Sequence, residues 1–441
     1  MFKTLRDAWS IPEIRKKLLY TLLMLLIFRL GSAVVVPFLD TATVSTWMTE
    51  NATGGNFLEY LDIITGGALS QATVFSLSIT PYINASIIMQ LLTYALPPLE
   101  RLRDEGEEGQ KKLNKITAAV SLALSAFMSF AYYLTLKNQM DAVTDGGSKA
   151  ANVFIAFVIV GTFIAGTSIV VWMGNRINDK GIGNGISMLL FAGILARFPV
   201  MAGTLTELTK NEPQRYFFES LGVLVLFIVM IAFIVFMNAS ERRIPIQYAK
   251  RVVGRKQYGG QSTHIPIKVC MSGVMPIIFA MSFMSLPSTI SLFKPVYDDP
   301  VGFWQKFYNG FINFFSTQSM SYAVIYFILI IAFNYFYVSM QYNPIEIANN
   351  LRQNNGGIPG IRPGKPTSDY IQRVLSKITL VGAFFLGIIA IFPIAMTWFD
   401  HNLSSLAMGG TTILIVVSVA LETVRTLESE MMMRHHKGFL E

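Results

Sequence analysis

The chain has 441 residues, of which 52% are hydrophobic and 14% are charged, with a mean hydropathy of +0.48 and a formal net charge of +8. Average soluble domains carry about 25% charged residues, and the apolar residues here fall in long runs, so this composition excludes an ordinary soluble protein and indicates a membrane protein. The single cysteine, Cys270, excludes an internal disulfide and a multi-cysteine metal site.

Apolar windows of about 19 residues predict ten membrane spans. In chain order these are Leu18–Val36, Val74–Leu96, Ile116–Leu136, Val153–Met173, Ile182–Gly203, Phe217–Met237, Val269–Phe293, Met320–Met340, Ile378–Trp398 and Leu406–Val424. The fifth span is the weakest, because Arg197 and Pro199 lie near its end.

A short apolar stretch, Phe57–Thr65, lies just before the second span. As a helix its nine residues would reach about 14 Å, less than half of a hydrocarbon core about 30 Å thick, so it cannot cross the membrane. It carries Glu59 and Asp62 and ends at Gly66 and Gly67, which permit a hinge. The residues alone favour a half-helix packed as a fixed re-entrant segment.

Two long segments between spans, Ala239–Lys268 and Gln341–Tyr370, are rich in Gly, Pro, Arg and Lys. Loops of this length are usually functional. Alternating residues around Ile244–Tyr248 predict a β-hairpin in the first segment. The second segment is predicted to be a rigid turn that presents Arg362 and Lys365.

The distribution of basic residues predicts the orientation in the membrane. With the N-terminus placed in the cytoplasm, cytoplasmic segments carry 27 of the Lys and Arg residues and the opposite side carries 7. This bias predicts that both termini are cytoplasmic. Arg29 is the one clear charge inside a span, and it is either a functional residue or a structural hydrogen-bond donor between helices.

The motifs that would indicate catalysis or ion coupling are missing. Carboxylates near the middle of spans, which ion-coupled transporters need, are not found. The sequence has no phosphate-binding loop, no H-E-x-x-H and no Gly-x-Ser-x-Gly elbow. The glycine-rich "GIGNGIS" (Gly181–Ser187) is interpreted as a tight turn. We therefore expect no enzyme, no cofactor and no metal site, and energy supplied by a partner.

Several stretches resemble the SecY family of protein-conducting channels, in the family's order along nearly the whole chain. They are "FRLGS", "GGALSQATVFSLSITPYINASIIMQLL", "GIGNGIS", "YAKRVVGR", "QSTHIPIKV", "GVMPIIFA", "IPGIRPG" and "GGTTILIVV". The resemblance implies an all-α multi-pass membrane protein with ten transmembrane helices in two inverted halves and a short re-entrant plug helix. The resemblance implies three units. The first, 1–203, contains the plug at about 57–70. The second, 204–424, contains the cytoplasmic loops 239–268 and 341–370, and the third is a cytoplasmic tail, 425–441.

The resemblance also implies an hourglass pore closed from outside by the plug. The implied plug residues are Phe57, Leu58, Tyr60, Leu61, Ile63, Ile64, Gly66 and Gly67. A ring of apolar side chains forms the waist, namely Ile79, Ile83, Ile87, Ile186, Leu190, Ile278 and Ile415. Such a ring dewets and blocks ions. On this reading the plug tolerates Asp62 because the funnel around it is wet.

The second and seventh spans would form a lateral gate into lipid, interrupted by prolines and held by weak polar contacts. The implied gate residues are Pro81, Asn84, Gln90, Pro276, Ser282 and Pro287. Basic residues of the two long loops would dock a motor or the ribosome, namely Arg242, Arg243, Lys250, Arg251, Arg255, Lys256, Arg362 and Lys365. Topology signalling or a contact with anionic lipid is the alternative for these charges.

The implied partners are SecE and SecG-like small membrane subunits, the SecA motor ATPase, the ribosome, signal peptides, nascent polypeptides and membrane lipid. The implied location is the bacterial cytoplasmic (inner) membrane. The function predicted is the passage of unfolded polypeptides across the membrane and sideways into lipid. A ten-span solute transporter or lipid flippase is the alternative, and it would require a polar pocket at the midplane.

Overall fold

The computed structural model describes residues 2–50, 62, 65–211, 213–248, 251–253, 256–258, 262–293, 302–315, 319–399 and 409–435. Fifteen helices lie in these residues: α1 (Phe2–Ser10), α2 (Pro12–Gly31), α3 (Thr41–Glu50), α4 (Thr80–Ala95), α5 (Pro97–Asp104), α6 (Glu107–Asn138), α7 (Lys149–Lys180), α8 (Gly185–Asn211), α9 (Pro213–Ala239), α10 (Met275–Phe293), α11 (Phe303–Phe314), α12 (Met320–Gln341), α13 (Pro344–Gln353), α14 (Lys365–Phe399) and α15 (Gly409–His435).

Ten of these helices coincide with the ten predicted spans, namely α2, α4, α6 to α10, α12, α14 and α15. Within the described residues, four helical stretches are long and apolar enough on their own to cross a membrane: Glu107–Asn138, Lys149–Lys180, Met320–Gln353 and Lys365–Phe392. Helix α4, with 16 residues, is shorter than the about 20 that a span requires, so its insertion depends on packing against neighbours.

The second and seventh spans begin later than predicted. Helix α4 starts at Thr80 and α10 at Met275, whereas the predicted spans start at Val74 and Val269. The residues before α4 form turns, and Thr73 makes an antiparallel bridge to Val35. Irregular backbone at this depth is tolerated because it is buried and its polar groups are bonded; the Tyr132 hydroxyl, for example, donates to the carbonyl of Leu69 at 2.9 Å.

The turn "GIGNGIS" joins α7 to α8, as predicted. The side chain of Asn178 accepts a hydrogen bond from the Gly185 amide at 2.7 Å, and Asn184 accepts from the Ile186 amide at 3.1 Å. Asn184 therefore caps the N-terminus of α8. A Cβ atom on Gly185 would lie 2.1 Å from the carbonyl oxygen of Gly174, so only glycine permits this close turn.

Contacts between loops agree with the predicted alternation of sides. Lys17 at the start of α2 forms an ion pair of 2.8 Å with Glu430 near the end of α15, and both ends were assigned to the cytoplasm. On the other side, Leu39 after α2 forms an antiparallel bridge with Val143 after α6. Each of these two contacts therefore joins segments that were predicted to lie on the same side of the membrane.

Large apolar side chains are exposed along the outer faces of the long helices. On α2 and α9 these are Leu19, Leu22, Leu23, Leu26, Leu30, Leu221, Leu224, Val225, Ile228, Val229 and Phe236. Exposed apolar surface of this extent is unusual for a soluble chain and is expected where helices face lipid.

The two largest apolar clusters lie in different parts of the chain. One contains buried residues between Val36 and Phe163, and the other contains buried residues between Ile234 and Leu414. A smaller cluster joins the two parts, because Ile194 of α8 packs with Ile415 of α15. The core is therefore divided, with α8 at the junction.

The described parts of the two long segments, Ala239–Lys268 and Gln341–Tyr370, form one folded unit. Strands β1 (Glu241–Tyr248) and β4 (Ser262–Lys268) pair antiparallel, which confirms the predicted hairpin, and β2 (Arg251–Val253) pairs with β3 (Lys256–Tyr258) in its distal part. Strand β5 (Gly356–Gly357) of the second segment adds to β1 and completes a three-stranded sheet.

The prediction of a simple rigid turn in the second segment was incomplete. Helix α13 lies inside it, with the Asn343 side chain accepting from the amides of Ile345 and Glu346 and Pro344 at the first turn. Apolar residues of the sheet, α13 and the start of α14 form a shared core: Ile244, Ile246, Ile267, Leu351, Ile358, Ile371 and Leu375. The alternation of single isoleucines in β1 concealed this core from a search for apolar runs.

Candidate functional site

The glycine pair at the end of the proposed plug packs directly against α8. Gly66 and Gly67 have φ angles of +73° and +86°, in the left-handed region that favours glycine. A Cβ atom on Gly66 would lie 2.5 Å from the carbonyl oxygen of Gly193. Since Gly193 is three residues beyond Leu190, a waist position, the glycine pair lies about one helical turn from that residue.

Asp62, just before the glycine pair, forms a buried ion pair with Arg197 of α8. The two groups are 2.8 Å apart, and the side chain of Asp62 is 4% exposed whereas that of Arg197 is 27% exposed. The second carboxylate oxygen accepts a hydrogen bond of 2.7 Å from the Ser70 amide. The expectation that Asp62 is tolerated by a wet funnel was therefore wrong, because the carboxylate is desolvated and paired.

Arg197 is a second charge inside a span, and the sequence prediction had recognised only Arg29. It lies twelve residues into α8, about 18 Å from the start of the helix. Charged groups at membrane depth usually face the protein interior and pair with one another. The pairing partner lies 135 residues earlier in the chain, which explains why local pattern did not reveal it.

Arg29 has the role of a hydrogen-bond donor between elements. Its Nη1 donates to the carbonyl of Gly66 at 3.2 Å and to the Ser32 hydroxyl at 3.3 Å. Arg29 and Arg197 thus hold the glycine pair and its neighbour Asp62 from α2 and α8. The other predicted plug residues, Phe57, Leu58, Tyr60, Leu61, Ile63 and Ile64, lie outside the described residues.

Four of the seven predicted waist residues lie in two packed groups. Ile79 is buried in a cluster with Met24 and Phe28, and Ile83 and Ile186 pack against it. Ile79 is the residue before α4, and its carbonyl accepts a hydrogen bond of 3.0 Å from the Ile83 amide.

The second group centres on Ile415, which packs with Ile194 and near Val274 at the start of α10. Ile87 and Leu190 are almost fully buried, whereas Ile278 is half-buried. Helix α8 supplies residues to both groups, so the predicted waist positions are distributed around this helix and not gathered into a single cluster.

The predicted gate helices α4 and α10 are in contact, and α10 also contacts α6. The expectation that Pro81 and Pro276 interrupt these helices was wrong, because each is the second residue of its helix. Proline is tolerated there since the first amides of a helix have no intrahelical acceptor. Pro287 alone lies in the interior of α10.

Two gate side chains carry buried polar atoms that lack a bonding partner within the described part of the chain. These atoms are Oδ1 of Asn84 and Oε1 of Gln90. The Gln90 amide nitrogen donates to the Ser86 hydroxyl at 3.3 Å, within the same helix. Ser282 lies on α10 and has an interaction partner of its own. An unsatisfied buried carbonyl costs about 1–3 kcal/mol, so each of these two side chains has unused capacity to accept a hydrogen bond.

A contact at the C-terminal end of α4 was missed by sequence analysis. Tyr94 at the end of α4 stacks edge-on against Phe336 of α12, with ring centroids 5.6 Å apart. Its hydroxyl lies 3.4 Å from the carbonyl of Met340, and Arg103 lies over its ring. Tyr94 follows an ordinary apolar run and carried no signal that would have distinguished it.

The predicted docking residues lie on the strands of the two long segments and beside them. Arg242 and Arg243 are exposed on β1, where alternation directs them to opposite faces, and Arg243 pairs with Glu241 at 2.7 Å. Arg251 and Lys256 lie on β2 and β3. Lys250 and Arg255 lie outside the described residues.

The second docking segment presents Arg362 and Lys365 in exposed positions next to the start of α14. The Arg362 carbonyl accepts a hydrogen bond of 2.8 Å from the Thr367 hydroxyl, which fixes the backbone there. Burial and the nearby Arg425 lower the pKa of Lys268 on β4. The sheet therefore gathers cations from both long segments on one small domain.

No group of three or more His, Cys, Asp or Glu side chains suited to a metal ion occurs among the residues described by the structure.

A comparison with protein families establishes how this chain is related to known proteins. The sequence model of the SecY family matches residues 73–424, which is most of the chain. The chain belongs to the SecY family.

Curated relatives agree with this assignment. The protein translocase subunit SecY of Streptomyces scabiei is 38% identical over 447 residues, and the match covers 100% of both chains. The SecY subunit of Mycobacterium tuberculosis strain H37Rv is 38% identical over 442 residues, with 97% of each chain covered.

Solved structures show the same fold. A SecY structure described for its plug domain and the closed channel has a TM-score of 0.66 at 18% identity, covering 97% of this chain and 96% of that one. Sec61 in a canine ribosome-channel complex has a TM-score of 0.57 at 16% identity, with the same coverage. The all-α, ten-helix multi-pass membrane fold is thus confirmed, and the chain is a SecY-type subunit of a protein-conducting channel.

Proposed function

We propose that this chain forms the pore itself, through a waist built around α8 and sealed from outside by the segment that ends at Gly66 and Gly67. The observation that carries the proposal is the contact of Gly66 with Gly193, one turn from Leu190. Two arginines and a buried carboxylate hold the segment there. An apolar waist blocks ions by dewetting and forms no sequence-specific bonds with a passing polypeptide.

The proposed waist consists of the predicted ring: Ile79, Ile83, Ile87, Ile186, Leu190, Ile278 and Ile415. The proposed units are 1–203 and 204–424, with 425–441 as a cytoplasmic tail, and the separation of the two main apolar clusters supports this division. The contact between Ile194 and Ile415 joins the units across the centre. Opening would separate them on the side of α4 and α10.

For the lateral gate, the buried oxygens of Asn84 and Gln90 support a role in opening. A signal peptide that enters between α4 and α10 would replace their contacts and could donate hydrogen bonds to these acceptors. The contact of Tyr94 with Phe336 and Met340 would close the cytoplasmic end of the same seam. Release of apolar segments into lipid would follow through this opening.

The channel is proposed to be passive, without catalytic activity of its own, in the bacterial cytoplasmic (inner) membrane with both termini in the cytoplasm. The proposed partners are SecE and SecG-like subunits, the SecA motor and the ribosome. Two structural neighbours are channels bound to ribosomes, which supports docking on the basic sheet. Clustered Lys and Arg would bind ribosomal RNA in a salt-dependent manner.

A reconstituted translocation assay tests the function and the docking surface together. Proteoliposomes with the full chain, its small subunits and the motor ATPase should protect a secretory precursor from added protease when ATP is present. We expect Arg362→Glu to reduce this protection about tenfold or more, because a reversed charge at a docking contact costs more than 1.4 kcal/mol.

The matched control is Lys149→Glu, a charge reversal at an exposed position on the opposite side of the membrane. It should leave translocation unchanged. Full activity of Arg362→Glu would remove this residue from the docking surface, whereas absence of precursor protection with the wild-type chain would contradict the channel function and favour the solute transporter or flippase.

A further inference from the structure

Helix α11, between α10 and α12, exposes an aromatic face. Phe303, Trp304 and Phe307 are 77%, 78% and 60% exposed, and Phe311 and Phe314 are exposed as well. The spacing of these five residues places them on one broad side of the helix. Their rings contact one another along the surface, with centroids 6.4 Å apart for Trp304 and Phe307.

The opposite side of α11 faces the protein. It carries Asn309, which is 9% exposed, the half-buried Ile312, and Gln305, whose side chain accepts a hydrogen bond of 3.2 Å from the Gly302 amide at the start of the helix. The helix therefore exposes its aromatic side, whereas a soluble amphipathic helix turns its apolar side to the core. Such exposure is unfavourable in water but suits an apolar or interfacial surrounding.

The end of the aromatic face is tied to the start of α12, where the Ser321 hydroxyl donates to the Phe314 carbonyl at 2.8 Å. Helix α12 begins six residues after α11 ends, and its residues Met320, Val324 and Ile328 form an exposed apolar stripe at intervals of four. The side chains of Trp and Phe concentrate where membrane headgroups meet hydrocarbon, and amphipathic helices lie there with the apolar face about 5–10 Å deep. A soluble partner would not require a connection to this stripe.

We propose that α11 lies in the headgroup region of the membrane leaflet opposite the cytoplasm, with its aromatic face inserted into lipid. The occupant of this face is the lipid surface itself. Because α11 contacts α10, a proposed gate helix, this anchor holds the outer end of that helix at a constant depth. The inference concerns membrane anchoring and does not depend on which solute or polypeptide the chain conducts.

Collision of spin labels with oxygen and with a water-soluble nickel chelate tests the proposal in proteoliposomes containing the full chain and its subunits. The only cysteine, Cys270, is first replaced by serine, and labels are then placed by Trp304→Cys or Phe307→Cys. Reference labels at Val225→Cys and Lys149→Cys report lipid and water. We expect labels at both α11 positions to collide more with oxygen than with nickel, and at a shallower depth than the label at Val225.

Two results would overturn the proposal. Labels at both positions that behave like the label at Lys149 would place the face in water, and labels shielded from both probes would indicate a protein partner. If the labelled chains do not assemble, tryptophan quenching by lipids brominated near the headgroup provides a second measurement. The wild type should lose a quenchable component upon Trp304→Phe, and unchanged quenching would contradict the proposal.

Discussion

Replacement of Arg197 by leucine is expected to make the resting channel leak ions. The change leaves the carboxylate of Asp62 buried at membrane depth without its ion-pair partner, and removal of one member of a buried pair costs about 3–5 kcal/mol. Since Arg197 is partly exposed, we expect a value near 3 kcal/mol, which would raise the open population about a hundredfold. Planar bilayer conductance of the reconstituted channel without substrate measures the effect.

The pair offers an internal control. The double variant Asp62→Leu, Arg197→Leu removes both charges, and apolar replacement of a buried pair is often neutral, so it should leak less than Arg197→Leu alone. Arg176→Leu breaks a surface pair with Asp179 and should have no effect, because such pairs contribute about 0–1 kcal/mol. Equal conductance of the wild type and Arg197→Leu would show that this pair does not hold the closed state.

Replacement of Ile83, Ile186 and Ile278 together by glycine is the second change for which we expect a large ion leak. Each loss shortens an apolar side chain at the proposed waist and lowers the free-energy barrier to wetting. Burial of a few tens of Å² of apolar surface contributes about 1 kcal/mol, so the three substitutions together lower the barrier by about 3 kcal/mol. Ion conductance then rises about a hundredfold.

The matched control places the same three substitutions on faces exposed to lipid, at Leu22, Val225 and Ile328. Glycine costs each helix about 1 kcal/mol at either set of positions, so the two variants lose similar helix stability. A leak in the control equal to that of the waist variant would attribute the effect to general loosening, and an unchanged conductance in both would contradict the proposed seal.

Much of the architecture could be predicted from the sequence because membrane insertion depends on local composition. Ten apolar runs became ten helices, and the alternating isoleucines before Tyr248 became a strand. The glycine pair at 66 and 67 also has the left-handed backbone that its residue type permits. In these cases the physical cause lies within a few residues of the observed structure.

The features that sequence analysis missed depend on contacts between distant parts of the chain. The partner of Asp62 is 135 residues away, and the contact of Tyr94 with Met340 spans 246 residues. The late start of α4 has a similar cause, because the buried turn before it is stabilised by the bridge from Thr73 to Val35. No local pattern encodes such pairs, so they required three-dimensional structure.

Cross-linking of a translocating polypeptide to the waist tests the central claim most directly. A photoreactive residue is placed at Ile83, Ile186 or Ile278, and a secretory precursor with a folded C-terminal domain is arrested in the channel. We predict that each waist position cross-links to the arrested chain, whereas Leu22 and Val225, which face lipid, do not. Cross-links absent from the waist, or equally frequent at the lipid-facing positions, would contradict the account.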